Sequence, residues 1–180
     1  MLDVQWQDLP PSTSFSRKLD MKDGKAQMDV HFADGALKTE LVAAPYSDCI
    51  AYRMACTLPK GCTVTLSLRH PDKKSEITPT RDGWILKGQG HNGGTRFENA
   101  VRVQAIDGRV SLDGGILRID NCKELLVLSS TKTDYNSRKP DSPLKNDLGT
   151  LNRNILDAAS RAGWKKLEQE TAKYFSERMM

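Results

Sequence analysis

The residues whose types best suit sugar recognition lie in and just before a glycine-rich loop, Gly88 to Gly94. The loop contains His91 and Asn92, which can hydrogen-bond to sugar hydroxyls, and Trp84 carries a ring that can stack on a sugar. Each also has a structural alternative, because a loop histidine is often only solvated and a tryptophan that opens an apolar strand often packs in the core. We predict Trp84, His91 and Asn92 as carbohydrate-contacting residues, with these alternatives open.

The same loop lacks the features of a nucleotide-binding loop. A phosphate cradle needs a helix N-terminus after the glycines and, in the P-loop, the spacing GxxxxGK[ST]. Here the loop is followed by Phe97 to Ala105, in which apolar residues alternate as in a strand. We therefore predict no bound nucleotide and no other cofactor.

Acid–base cleavage of a glycosidic bond needs two carboxylates that face each other across about 5–10 Å. Five aspartates of this sequence come directly before glycine, where a short acidic side chain stabilises a turn by local hydrogen bonds. They are Asp23, Asp34, Asp82, Asp107 and Asp113. GxSxG and HExxH signatures do not occur. We therefore predict no catalytic residue in this chain.

The four cysteines, Cys49, Cys56, Cys62 and Cys122, form no CxxC pair, and with three histidines they show no zinc-like spacing. Each cysteine lies in or beside a strand-like run, where an unpaired thiol behaves as a small apolar side chain. We predict buried free thiols and no metal site. A disulfide or metal role is the alternative, and the redox compartment is undecided.

Charge and composition exclude several classes of function. The chain has 180 residues, of which 27 are basic and 23 acidic, and the two signs alternate instead of forming a basic stripe. No apolar run approaches the ~18 residues of a membrane helix, and residues 1–10 show no secretory signal. We therefore predict a globular protein without nucleic-acid or membrane partners, whose localisation these residues leave unknown.

Apolar alternation predicts mainly β structure. From Ala26 to Phe32 every second residue is apolar, between the turn signals Asp23-Gly24 and Asp34-Gly35. About ten short strands with this kind of pattern follow one another, and Leu125 to Ser129 forms a continuous apolar strand, predicted to be buried on both faces. Strands in close succession without intervening helices predict an antiparallel β-sandwich.

The C-terminal part predicts two α-helices after a polar linker. Ser142 is the predicted cap of the first helix, with Pro143 at its first position, and Gly163 ends that helix. Its predicted apolar stripe is Leu144, Leu148, Leu151, Ile155, Ala158 and Ala162. The stripe of the second helix is Trp164, Leu167, Thr171, Tyr174, Phe175 and Arg178, with Glu170 and Lys173 pointing away. The predicted division is a sandwich at 1–130, a linker loop at 131–142 and a helical linker region at 143–180.

The order of these segments resembles family 95 glycoside hydrolases. Phe15 to Met21 is similar to the family's Y-x-R-x-L-D-L strand, and Glu40 to Met54 is similar to a later strand. Further similar segments lie between Arg96 and Tyr135, and Trp164 to Met179 resembles the helix that links sandwich and barrel. No single motif is diagnostic, so the resemblance rests on the ordered series, which covers nearly the whole chain.

The resemblance implies part of the non-catalytic N-terminal domain of such an enzyme, with a partial supersandwich-like fold. Complete family members remove α-linked fucose or galactose by inversion, and their catalytic carboxylates lie in an (α/α)6 barrel that this chain lacks. We therefore expect a fragment or split module whose partner is that barrel, in a periplasmic or secreted protein.

Two other functions are weighed beside this one. The chain is alternatively a stand-alone carbohydrate-binding sandwich that contacts glycan, or, in a third hypothesis, an independent glycosidase. Self-association through an exposed sheet edge is a further expectation, because unpaired edges template pairing.

Overall fold

Strands make up half of the chain. The computed structural model of the protein describes residues 1–72 and 74–178, without the side chain of Asn92. This part contains twelve strands, a 3₁₀ turn at His91–Gly93 and one long helix, α1, Leu148–Ser176. The strands are β1 (Leu2–Gln7), β2 (Ser14–Asp20), β3 (Lys25–Phe32), β4 (Gly35–Ala44), β5 (Cys49–Cys56), β6 (Cys62–Leu68), β7 (Glu76–Thr80), β8 (Gly83–Gln89), β9 (Arg96–Ala105), β10 (Arg109–Asp113), β11 (Ile116–Cys122) and β12 (Glu124–Thr133). No helix in the described residues is long and apolar enough to cross a membrane.

The strands form two antiparallel sheets. The large sheet has eight strands in the order β2-β3-β4-β5-β12-β9-β8-β7, and the small sheet has four in the order β1-β6-β11-β10. Every strand pair is antiparallel. The prediction of a mainly β, antiparallel, sandwich-like fold is therefore confirmed.

Strand β1 is absent from the sequence-based prediction. It pairs with β6 in the small sheet, with Val4 opposite Leu66 and Trp6 opposite Val64. The alternation of Leu2, Val4 and Trp6 with polar residues is its only signal. The run has only six residues, so its pattern is weak without the partner strand.

The predicted turn at Asp34-Gly35 differs from the turn in the structure. In the β3–β4 hairpin Phe32 is opposite Gly35, so the tight turn consists of Ala33 and Asp34, and Gly35 is already a strand residue. A Cβ at Gly35 would lie 2.9 Å from the backbone nitrogen of Leu58. The glycine is therefore required by the close approach of another backbone segment, and not by a positive φ angle.

The large sheet has an apolar core on each of its faces. The first core lies between the two sheets and includes Leu37, Met54, Val64, Leu66, Trp84, Leu117, Ile119, Leu125 and Val127. The second lies between the large sheet and α1 and includes Val42, Ala51, Leu126, Leu128, Leu156, Ala159, Trp164 and Leu167. Strand β12 contributes alternate residues to both cores, as predicted for a strand buried on both faces.

The predicted pair of helices is wrong, because the structure has a single helix that is kinked at Gly163. The backbone there has φ 72° and ψ 170°, which is not helical, and the chain continues as helix without an intervening loop. The helix also begins at Leu148 and not at Pro143. Asp147 is its cap, since its side chain accepts hydrogen bonds from the backbone N–H groups of Gly149 and Thr150. The division into sandwich, linker and helical region stays a prediction.

The predicted stripe of the N-terminal half of α1 is only partly correct, because Ile155 packs against the second core while most of its other members are exposed. Leu151 and Ala158 are exposed, and the buried positions are Asn152, Leu156 and Ala159. Asn152 can take a core position because its side-chain Nδ2 donates a hydrogen bond to the backbone carbonyl of Glu98 at 2.9 Å. The second predicted stripe is correct for Trp164, Leu167 and Thr171, which are buried.

These orientations predict different costs for two leucine truncations on the same helix. Leu167→Ala removes a fully buried side chain and should lower the free energy of unfolding by about 2–5 kcal/mol. Leu151→Ala, at a side chain that is 37% exposed, should change it by about 0.5 kcal/mol or less. Urea unfolding followed by circular dichroism measures both. Equal costs would contradict the orientation of α1.

Candidate functional site

Of the three residues predicted to contact carbohydrate, Trp84 lies in the core and His91 at the surface. Trp84 is only 1% exposed, and its Nε1 donates to the carbonyl of Gly115 at 2.9 Å, so the indole belongs to the core between the sheets. His91 is exposed on the 3₁₀ turn. The side chain of Asn92 lies outside the described residues. A buried ring offers no face for stacking, so Trp84 does not support the carbohydrate-binding alternative. Contacts of His91 and Asn92 with carbohydrate stay predictions.

A polar groove of about 520 Å³ lies between strands β7 to β9 and the start of α1. A row of charges crosses it, since Glu76 is opposite Lys87 and Lys87 is opposite Glu98 in the strand register. Its lining is Lys74, Glu76, Lys87, Gly88, Gln89, Arg96, Phe97, Glu98, Asn146, Asp147, Leu148 and Gly149. Such a surface can hydrogen-bond to hydroxyl groups, although the sequence did not indicate it.

The acidic side chains of this groove already have structural partners. Glu98 is 5% exposed, lies 3.5 Å from Lys87 Nζ, and receives a hydrogen bond from Asn152 at 3.4 Å. Hydrogen bonds from the side chain and backbone of Thr150 and the backbone of Gly149 lower the pKa of the Asp147 carboxyl. Asp147 therefore stays ionised near neutral pH, which suits a helix cap and not a general acid. These contacts hold the start of α1 on the sheet.

A second polar cluster holds the C-terminal half of α1. Lys25 on β3 contacts Glu168 on the helix at 2.7 Å and Glu40 on β4 at 3.3 Å. Glu40 is 4% exposed and also lies near Lys38 and Arg53. Burial alone would raise the pKa of Glu40, but hydrogen bonds and charges from Lys38 and Lys25 lower it on balance. The hydrogen bond to Glu168 raises the pKa of Lys25.

Further contacts complete the attachment of the helix. Glu170, predicted to point away, accepts hydrogen bonds from the backbone N–H and the hydroxyl of Ser47, both at 2.7 Å. Arg102 on β9 contacts Asp157 at 2.8 Å. The sequence did not indicate these two contacts, because Arg102 and Asp157 are 55 residues apart and Ser47 and Glu170 are 123 residues apart. Together the contacts fix α1 on the large sheet along its length.

Replacement of Glu40 by glutamine tests this cluster. Glu40→Gln should lower the free energy of unfolding by about 1.5–3 kcal/mol at neutral pH, because the hydrogen bonds to a charged group are lost. The pKa of Glu40 is lower in the folded protein, so its contribution is present above the unfolded value of about 4.3 and is lost as the pH falls through the folded value. The difference in the free energy of unfolding between the wild type and Glu40→Gln should therefore disappear in acid.

The exposed Glu177→Gln serves as the matched control, with an expected change within about 0.5 kcal/mol at either pH. Urea titrations at pH 7 and in the acid range measure the differences. A loss for Glu40→Gln that does not depend on pH would contradict the ionised cluster.

The four cysteines are buried free thiols, as predicted. Cys56 on the large sheet and Cys62 and Cys122 on the small sheet share the core between the sheets. Burial raises the pKa of the Cys49 thiol to about 11 and that of Cys122 to about 12, and it also raises the pKa of Cys62. No group of side chains that could hold a metal ion occurs in the described residues.

Thiol titration checks this burial. Because the thiolate is the reactive form and burial disfavours it, Ellman's reagent should label the folded protein at pH 8 at least about tenfold more slowly than the urea-unfolded protein. All four thiols should react after unfolding. Fast labelling of the folded protein would show that the core between the sheets is open.

One flank of α1, beside its buried side, carries small and apolar residues that are exposed. Leu151, Ala158 and Ala162 lie on this flank, with Lys165 and Lys166 following them. We call Leu151, Ala158 and Ala162 the outer stripe. A stripe of small side chains lets a second helix approach closely.

Comparison with known proteins shows the family of this domain. Residues 2–138 match the family described as "Glycosyl hydrolase family 65, N-terminal domain". The chain belongs to this family. It corresponds to a non-catalytic N-terminal domain of a glycoside hydrolase, while membership in family 95 is not supported. The resemblance to family 95 rested on an ordered series of segments and on no single diagnostic motif.

A solved structure described as a putative kojibiose phosphorylase from human microbiome has the same fold. The superposition gives a TM-score of 0.60 at 11% sequence identity and covers 97% of this chain. The chain spans only 27% of the length of that protein. No curated protein matches the chain significantly.

Proposed function

We propose that this chain supports a catalytic domain in a family 65-like enzyme, with α1 as the element that positions that domain. One observation carries the proposal: α1 is fixed along its length on the large sheet, while its outer stripe stays exposed. A rigidly attached helix with a free, close-packing side suits contact with another helical surface. The catalytic partner and its expected (α/α)6 barrel stay proposals.

The chain itself contributes structure and no chemistry in this proposal. Two of the three carboxylates that line its polar groove hold α1, since Glu98 contacts Lys87 and Asn152, and Asp147 caps the helix. A glycosidase needs one carboxyl with a raised pKa beside an ionised one. The lowered pKa of Asp147 argues against such a role.

The substrate of the parent enzyme is proposed from the structural neighbour. That protein is described as a putative kojibiose phosphorylase, so we propose a parent enzyme that cleaves the glycosidic bond of a disaccharide of this kind. Hydrolysis of fucosides or galactosides followed from the resemblance to family 95 and is not carried forward. A periplasmic or secreted location stays an expectation.

A carbohydrate-binding module is the second candidate. The polar groove favours it, because its volume of about 520 Å³ and its lining of charged and amide side chains with Phe97 suit a sugar. Saturable binding of a disaccharide, abolished by Lys87→Ala, would move this function ahead of the first.

The test compares the chain alone with the chain and its catalytic partner. Purified protein should not turn over kojibiose with or without inorganic phosphate, and turnover in proportion to protein concentration would contradict a supporting role. Co-expressed with the catalytic region of the parent enzyme, the chain should form a complex that Ala158→Arg weakens about tenfold or more by blocking the outer stripe.

Ser111→Arg is the matched control, since this exposed residue lies on β10, in the small sheet on the opposite side of the large sheet from α1. It should leave the complex unchanged. Equal effects of the two arginines, or the lack of any coding region for a catalytic domain near this one, would contradict the proposal.

A further inference from the structure

A pocket lies between the kink of α1 and the large sheet. The backbone of Gly163 leaves the helical conformation, with φ 72° and ψ 170°, and a Cβ at this residue would have no neighbour within 4 Å. Gly163 lines a cavity of about 570 Å³ together with residues of β5, β12 and the C-terminal end of β9. We call this cavity the kink pocket, and its lining includes Arg53, Gln104, Glu124, Leu126, Trp164 and Lys165.

The floor of the kink pocket is a row of side chains on three adjacent strands. In the strand register Leu126 of β12 is opposite Arg53 of β5 on one side and Gln104 of β9 on the other. Neighbouring strands lie about 4.8 Å apart, so this row spans roughly 10 Å between its outer two Cα atoms. Glu124 comes two residues before Leu126 on β12 and therefore points to the same face of the sheet. Polar groups thus surround an apolar residue on three sides.

The polar side chains of the kink pocket supply both donors and acceptors. Arg53 Nε and Nη2 both contact Oε1 of Glu124, at 2.9 Å, and Oε2 of Glu124 has no partner in the part of the chain that the structure describes. Gln104 carries an amide that donates and accepts, and the exposed Lys165 adds an ammonium group. A ligand with hydroxyl groups can use all of these, because a hydroxyl both donates and accepts.

The apolar walls of the kink pocket are held in place by the core. Leu126 is 7% exposed and Trp164 8%, and both belong to the second core, between the large sheet and α1. Ile106 follows β9, is 66% exposed and lines the same cavity. Ligand pockets in proteins are largely pre-formed and have volumes of about 300–1,000 Å³. The kink pocket matches this description in its fixed walls and in its size.

The combination of these groups selects one class of ligand. A purely apolar ligand would cover Arg53 and Glu124 without replacing their contacts with water, which is unfavourable. An anion would be repelled by the carboxylate of Glu124, which already occupies Arg53. A pyranose ring avoids both costs, because it has an apolar C–H face and a rim of hydroxyl groups. We propose that the kink pocket binds a neutral hexopyranose, with its C–H face over Leu126 and hydroxyl groups at Glu124 and Gln104.

The kink pocket is a different site from the polar groove, and the two share no lining residue. The groove lies at Leu148 and Gly149, at the start of α1, whereas the pocket lies at Gly163. At a rise of about 1.5 Å per residue, Leu148 and Gly163 are roughly 22 Å apart along the helix. The site does not rest on the support of a catalytic domain, because every residue of the pocket belongs to this chain.

NMR titration of the full chain with D-glucose, D-galactose and D-mannose tests the proposal. At least one sugar should shift the indole N–H signal of Trp164 saturably, with a Kd of about 1 mM, as expected for a single ring. The indole signal of Trp84, buried between the sheets, should stay in place. Cyclohexanol, which has one hydroxyl group, should bind at least about tenfold more weakly. Tighter binding of cyclohexanol, or no saturable shift with any of the three sugars, would overturn the proposal.

Three variants locate the site. Gln104→Ala should weaken sugar binding at least about fivefold, because the hydrogen bonds of the amide are lost. Lys165→Ala changes an exposed residue that the fold does not need and should weaken binding about threefold. Gln89→Ala, the matched control, makes the glutamine change in the polar groove and should leave binding unchanged. Loss of binding by Gln89→Ala and not by Gln104→Ala would overturn the proposal, and so would unchanged binding in both Gln104→Ala and Lys165→Ala.

Discussion

The four consecutive apolar residues of β12, Leu125 to Leu128, must be covered on both faces of the large sheet. Successive side chains of a strand point in opposite directions, so Leu125 and Val127 face the small sheet while Leu126 and Leu128 face α1. Burial of each such side chain contributes about 1.5–3 kcal/mol. A two-layer sandwich would leave one pair in water. The helix is therefore a third layer that the central strand requires.

Packing alone would not fix the direction of that helix, because its buried residues are few and two of them, Asn152 and Thr171, are polar. The charged cluster around Glu40 and the contacts of Glu98 with the start of the helix supply this direction. A buried carboxylate is costly unless its partners are present, so a helix in another register would leave Glu98 without Asn152 and would separate Glu168 from Lys25. The polar contacts thus select one arrangement among several that bury similar apolar area.

The same use of polar groups explains why this domain has structure without its own chemistry. Its buried carboxylates contact lysine, arginine or amide partners, and burial raises the pKa of the Cys49, Cys62 and Cys122 thiols. The surfaces that these contacts leave free are the outer stripe of α1 and the polar groove.

The alternation of apolar residues determined the β class, most strand positions and the free state of the cysteines, because these depend on local periodicity and composition. The double burial of β12 was also readable from its continuous apolar run. Only the tertiary structure decided which face of α1 is buried, since the outer stripe has the better local pattern and loses to Asn152, whose partner Glu98 is 54 residues away. The burial of Trp84 likewise depends on which strands of the small sheet lie above it. A sequence states what each residue prefers, but which neighbour satisfies that preference is decided by contacts between distant segments.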